Sequence, residues 1–154
     1  MLLSLQERIN KTKGNTKLKA ITLNLAVKDI KKTIKYYQEN FDFEVQMLVD
    51  ESKTIFDTQI KEDLNYVWAM IYKDNVSLML QNIESLKEDV GDFFQNLGAS
   101  LTMYIEVENV DELYLKIKDK VTIYKEIETT WYGQKEFYIK DINGYILGFT
   151  SKNS

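Results

Sequence analysis

Two stretches eighty residues apart share one pattern, and this repetition constrains the fold more than any single motif does. "TLNLAV" (22–27) runs into Lys28-Asp29, and "TMYIEV" (102–107) runs into Glu108-Asn109. Each alternates as a strand does, and each then changes to helical spacing. After the first, Asp29 is placed to cap a helix whose Ile30, Ile34, Tyr37 and Phe41 share one face. After the second, "VDELYLKIKDK" carries the matching helix. Each helix precedes three more strands: "FEVQMLVD" and a hairpin, "NYVWAMIYKDNVSLMLQN", around Lys73-Asp74-Asn75, then "VTIYKEIE" and a second hairpin, "KEFYIKDINGYILGF". The order is βαβββ twice. One such unit cannot cover both faces of its sheet, so tandem copies complete a shared core. The expected fold is α+β, with two tandem βαβββ modules forming a curved, cup-like mixed sheet around a central trough. The first module spans 18–82 and the second 101–154, one domain over 18–152. An N-terminal arm (1–17) precedes them. A partly helical connector (83–100), with Leu86, Val90, Phe93 or Phe94, and Leu97 inward, lies between them.

Composition narrows the chemistry. The 154 residues contain neither cysteine nor histidine, which removes disulfides, thiolate nucleophiles and the commonest metal ligand and general base. A net charge of −4, with signs interspersed, does not build the basic surface that nucleic acids require. "MLLSLQERIN" is too short an apolar start for a signal peptide, and no apolar run approaches the ~20 residues of a membrane span. The expectation is a cytoplasmic protein with neither nucleic-acid nor membrane partners.

Strand period two assigns the trough-facing side chains. Thr22, Asn24 and Ala26 share a face, as do Thr102, Tyr104 and Glu106, and Ser77, Met79 and Gln81. Trp68 lies on a strand face with Tyr66 and Met70, and Trp131 leads "WYG" into the last hairpin. A simple core would carry Val, Ile and Leu at these positions. Small, hydroxylic and amide groups beside aromatics suit a ligand pocket, or else satisfy one another. Glu106 is the carboxylate expected to point inward, and Glu136 joins it only if 136 and 138, with Tyr138, also face inward. Asn143-Gly144 predicts a tight primed turn. Gly148 weakens a strand interior, so its position wants space.

"LNLAVKDIKKTIKYYQENFDFEV", "NVSLMLQ" and "WYGQKEFYIKDINGYILGF" together resemble the vicinal-oxygen-chelate superfamily, which includes glyoxalases, extradiol dioxygenases and bleomycin-resistance proteins. Ile142 and Asn143 stand where the family's terminal turn has proline and aspartate. The resemblance implies four metal-ligand positions, which carry over to Thr22, Met79, Thr102 and Gly148. None is a strong ligand, so no cofactor and no metal are expected. The closest likeness is to the metal-free bleomycin-resistance branch. That implies a homodimer sequestering a planar or cationic compound, with Thr22, Asn24, Trp68, Met70, Met79, Gln81, Thr102, Tyr104, Glu106, Trp131, Tyr138 and Gly148 as candidate contacts and no catalytic residue. The alternatives are a metalloenzyme with atypical oxygen ligands, or a ligand-free structural dimer.

Overall fold

Strand pairing follows the duplication. The structure, a computed structural model, describes Ser4, Leu5, Glu7, residues 20–91 and residues 101–152. In the first module β1 (Leu23–Val27) leads to α1 (Ile30–Phe41), β2 (Glu44–Asp50), β3 (Phe56–Asp57), β4 (Tyr66–Lys73) and β5 (Val76–Asn82). Helix α2 (Ile83–Val90) follows. The second module comprises β6 (Thr102–Glu106), α3 (Val110–Ile117), β7 (Thr122–Thr129), β8 (Gln134–Lys140) and β9 (Ile146–Lys152). The sheets run β1-β5-β4-β2-β3 and β6-β9-β8-β7. In both, the first strand pairs parallel to the last (Leu23 with Leu78, Thr102 with Ile146), and the other pairs are antiparallel.

Local signals account for the element boundaries. The Asp29 carboxylate accepts from the Lys32 amide and caps α1. Asp42 ends that helix in the left-handed conformation (φ 56°), which Asp tolerates better than most residues. Asn109 caps α3 in the same way. Two expectations need adjustment. In the first module, which was expected to span 18–82, β1 begins at Leu23, and the segment between the second strand and the hairpin contributes an unexpected two-residue edge strand, β3. The N-terminal arm and the connector's Phe93, Phe94 and Leu97 lie outside the described residues, except that Ser4 and Glu7 bond reciprocally as a capping pair. Leu86 is buried, as expected.

The core lies on the helix side of both sheets. Leu25, Val27, Leu48, Ala69, Ile71, Leu78 and Leu80 meet Ile30, Ile34, Tyr37 and Phe41 of α1. Met103, Phe137, Ile139, Leu147 and Phe149 meet Val110 and Ile117 of α3. Phe149 stacks on Phe41 at 5.2 Å and on Phe137 at 5.3 Å, so one aromatic column joins the modules. Burying each such ring contributes about 1.5–3 kcal/mol. Tyr66 belongs to this core as well. Its ring lies below the Lys31 ammonium at 5.9 Å, away from the surface where Trp68 and Met70 sit.

The last hairpin also pins the modules together. Its turn differs from the primed type. Asp141 N–H donates to the Tyr145 carbonyl, Gly144 N–H donates to the Asp141 carbonyl, and only Gly144 has positive φ (89°). This is a three-residue loop with its glycine in the left-handed position. The Asp141 carboxylate, buried inside it, accepts from Asn143 N, Tyr145 N and the Tyr37 hydroxyl of α1. Tyr145 Oη in turn donates to the Ala26 carbonyl, and Asn143 Nδ2 to Thr33 Oγ1. No helix among the described residues is long and apolar enough to cross a membrane.

Candidate functional site

The sheet faces turned away from the helices carry the candidate residues in two separate groups. In the first sheet, register places Asn24 beside Met79, Met79 beside Met70, and Trp68 beside Gln81. Trp68, Met70 and Met79 are half-buried, and Met47 adds an exposed thioether next to Met70. Gln81 is not available to a ligand. Its Oε1 accepts from Asn24 Nδ2 at 2.7 Å, and its Nε2 donates to Ser85 and Asp89. Helix α2 has folded over this part of the sheet, which buries the amide and satisfies it internally.

The second group is built on Gly148. Register sets Gly148 between Tyr104 of β6 and Tyr138 of β8. A Cβ there would lie 2.6 Å from Tyr138 Cε1 and 3.2 Å from Tyr104 Cδ2. The space expected for a ligand is therefore taken by the two tyrosine rings, which close over the missing side chain.

Their hydroxyls converge on one carboxylate. Glu136 on β8 is 2% exposed. Its Oε2 accepts from Tyr104 Oη at 2.6 Å, and its Oε1 from Tyr132 Oη at 2.7 Å and Tyr138 Oη at 3.3 Å. Burial by itself raises the Glu136 pKa. The three hydroxyls, with the Lys125 charge nearby, outweigh burial and hold it below the ordinary carboxylate range. The same bonds push the tyrosines up, Tyr132 to about 12. Tyr138 also rises, there mainly through burial. Lys125 is paired with Glu128, and among the described residues Glu136 has no ion-pair partner. The site thus holds a buried anion walled by phenol rings and salt-bridged to no cation among the described residues, with the Lys125 ammonium 6.0 Å from the Tyr138 ring.

Glu106, expected to be the inward carboxylate, is exposed. Together with Thr102 and Tyr104 it lines a cleft of about 400 Å³ between β6 and the starts of β1 and β5, where Ile21, Leu23 and Ser77 form the other wall. Trp131 is 94% exposed in the β7–β8 turn and packs edge-on against Tyr132 at 5.1 Å. Glu136 was expected inward only on the condition that 136 and 138 share the inner face, and Tyr132 was not among the expected contacts. That condition is met, since Glu136 shares a face with Tyr138 and bonds it. Tyr132 reaches the site only because its turn folds back.

The four family metal positions do not converge on a donor set. Thr22 and Thr102 are exposed, Met79 offers a thioether, and Gly148 offers nothing and is covered by Tyr138. Divalent ions in such sites are held by imidazole, carboxylate or thiolate groups, so these residues do not fit one. Among the described residues, no group of three or more His, Cys, Asp or Glu is placed to hold a metal.

Two modules of this topology with parallel first-to-last pairing define the class of protein, and sequence comparison gives its family. Residues 18–149 match the Glyoxalase/Bleomycin resistance protein/Dioxygenase superfamily, and the chain belongs to it. No curated protein matches. Among solved structures, a glyoxalase/bleomycin resistance protein/dioxygenase from Nocardioides superposes with a TM-score of 0.68 at 12% identity, covering 97% of this chain and 93% of its own. A member of the superfamily from Sphaerobacter thermophilus is 20% identical with a TM-score of 0.59, covering 85% of this chain and 96% of its own. The bleomycin-binding protein of Streptomyces verticillus, complexed with copper(II)-bleomycin, has a TM-score of 0.56 at 16% identity, covering 90% and 99%. At these identities the likeness establishes the fold.

Proposed function

We propose that the protein binds and sequesters a planar, cationic small molecule on the second sheet's open face, without a metal and without altering it. The observation that carries this reading is Glu136, a buried carboxylate held ionised chiefly by three phenol hydroxyls, with no ion-pair partner among the described residues. An anion compensated chiefly by dipoles attracts a mobile cation. Each phenol that donates to it gains electron density in its ring, which strengthens cation–π contact worth about 0.5–2 kcal/mol per ring. Tyr104, Tyr132 and Trp131 expose their rings beside it, so a flat cation has surfaces to stack on. The S. verticillus bleomycin-binding protein supports the reading by analogy of fold. The open face is also where a second copy of the chain would complete the enclosure, and a homodimer is part of the proposal.

A thermal-shift screen of cationic dyes and aminoglycoside-like or peptide antibiotics, with neutral and anionic analogues alongside, tests it. A cation at a hundred times its dissociation constant should stabilise the fold by about 2.7 kcal/mol. Glu136→Gln should weaken the same compound about tenfold or more, measured against the variant's own baseline. If no cation shifts the transition, or if anions do so equally, the reading fails.

A further inference from the structure

A second cavity lies on the other side of the sheets, between the modules, and nothing in the trough chemistry uses it. It measures about 200 Å³. Tyr37, Phe41 and Phe43 wall it from the first module, and Ile105, Leu113 and Phe149 from the second. Protein interiors rarely keep voids much larger than a water molecule. An apolar cavity of about 150 Å³ stays dry and accepts a benzene ring. This one is large enough for a monocyclic aromatic.

Its walls are held by packing that does not relax easily. Tyr37 and Phe43 meet edge-on at 5.5 Å, Tyr37 and Phe41 at 5.9 Å, and Phe41 stacks on Phe149. The mouth is polar. Lys116 Nζ of α3 reaches Asp42 Oδ2 at the end of α1, 2.8 Å away, bridging the modules at the opening. Lys73 at the end of β4 completes the lining. Its nearest carboxylate is that of Asp74, 81% exposed and 3.8 Å away. The lining therefore carries two ammonium groups and one carboxylate, and that carboxylate already has a partner. Within a chain of net charge −4, this opening favours an anion.

We infer that the inter-module cavity is a binding site for a small aromatic carboxylate, with its ring among Phe41, Phe43 and Leu113 and its carboxylate at Lys73. Ile105 of β6 and Leu147 and Phe149 of β9 face this cavity, while Tyr104 and Gly148 of the same strands face the other way, so the two sites share two strands and no residue. The inference is independent of the trough proposal.

Benzoate, benzyl alcohol and benzylamine are the probes, measured by calorimetry and saturation-transfer NMR on the full chain. Benzoate should bind saturably and benzylamine more weakly. Val76→Phe and Leu113→Phe each fill the cavity and should weaken benzoate about tenfold or more. If one variant does not fold, the other carries the test. Lys73→Gln should weaken benzoate about two- to fivefold, the effect of an exposed ion pair. Glu136→Gln should leave benzoate unchanged, which separates this site from the trough. The inference is overturned if wild type shows no saturable benzoate binding, or if a folded, filled variant binds undiminished. It is equally overturned if benzylamine binds as tightly or if Glu136→Gln abolishes benzoate binding.

Discussion

Replacing Glu136 with glutamine removes a charge while keeping the shape, and the structure says what that should cost. Three phenol hydroxyls donate to the carboxylate. Hydrogen bonds to a charged acceptor contribute about 1.5–3 kcal/mol and neutral ones about 0.5–1.5, so each bond loses roughly 1 kcal/mol. Tyr104 and Tyr132 are 53% and 48% exposed, and water can replace part of what they lose. Halving their share leaves about 2 kcal/mol, offset in part because an amide is easier to bury than a carboxylate. The expected loss at neutral pH is about 1–2 kcal/mol. The pH dependence is sharper than the magnitude. The Glu136 pKa is depressed in the fold, so its contribution is present above the unfolded carboxylate value and is lost as pH falls through the folded value. Protonated glutamic acid is nearly isosteric with glutamine. The difference between wild type and Glu136→Gln should therefore shrink toward zero in acid. Urea denaturation of both proteins at neutral pH and at about pH 3.5 measures it, below the ordinary glutamate range. A difference of the same size at both pH values would refute the charged-acceptor account.

Gly148→Ala places a methyl 2.6 Å from the Tyr138 ring, which must rotate away. Overpacking of this kind costs about 1–3 kcal/mol. At about 2–4 °C per kcal/mol, calorimetry should show a clear drop in Tm, and an unchanged Tm would mean the ring is not where the structure puts it. Tyr37→Phe deprives the buried Asp141 carboxylate of one of its three donors and should destabilise by about 1–2 kcal/mol. Burial already raises the Asp141 pKa, and losing the hydroxyl raises it further, so the deficit should grow as pH rises through that value. Denaturation at pH 4 and pH 7 would show the trend, and a deficit that grows in acid would contradict it.

Much of the fold is legible because it rests on local and periodic signals. The repeat of "TLNLAV" in "TMYIEV" gives the two modules, and Asp29 and Asn109 mark both helix starts. The alternation of Met70, Met79 and Asn24 gives their common face. These follow from residues a few positions apart, whose geometry the backbone dictates. The site is less legible. Gly148 looks like an opening in sequence because spacing shows only that a side chain is absent. Tertiary structure decides what fills the gap, and Tyr138 and Tyr104 arrive there from two other strands. Gln81 has the right face for a ligand, but α2 closes over it. Glu106 has a carboxylate on the right strand, but Glu136 is the one that becomes buried. The sequence by itself determined the βαβββ duplication, the family and the absence of strong metal donors at the family positions. Only the tertiary structure decided which carboxylate the tyrosines surround and that a cavity remains between the modules, because both depend on side chains brought together from distant strands and turns.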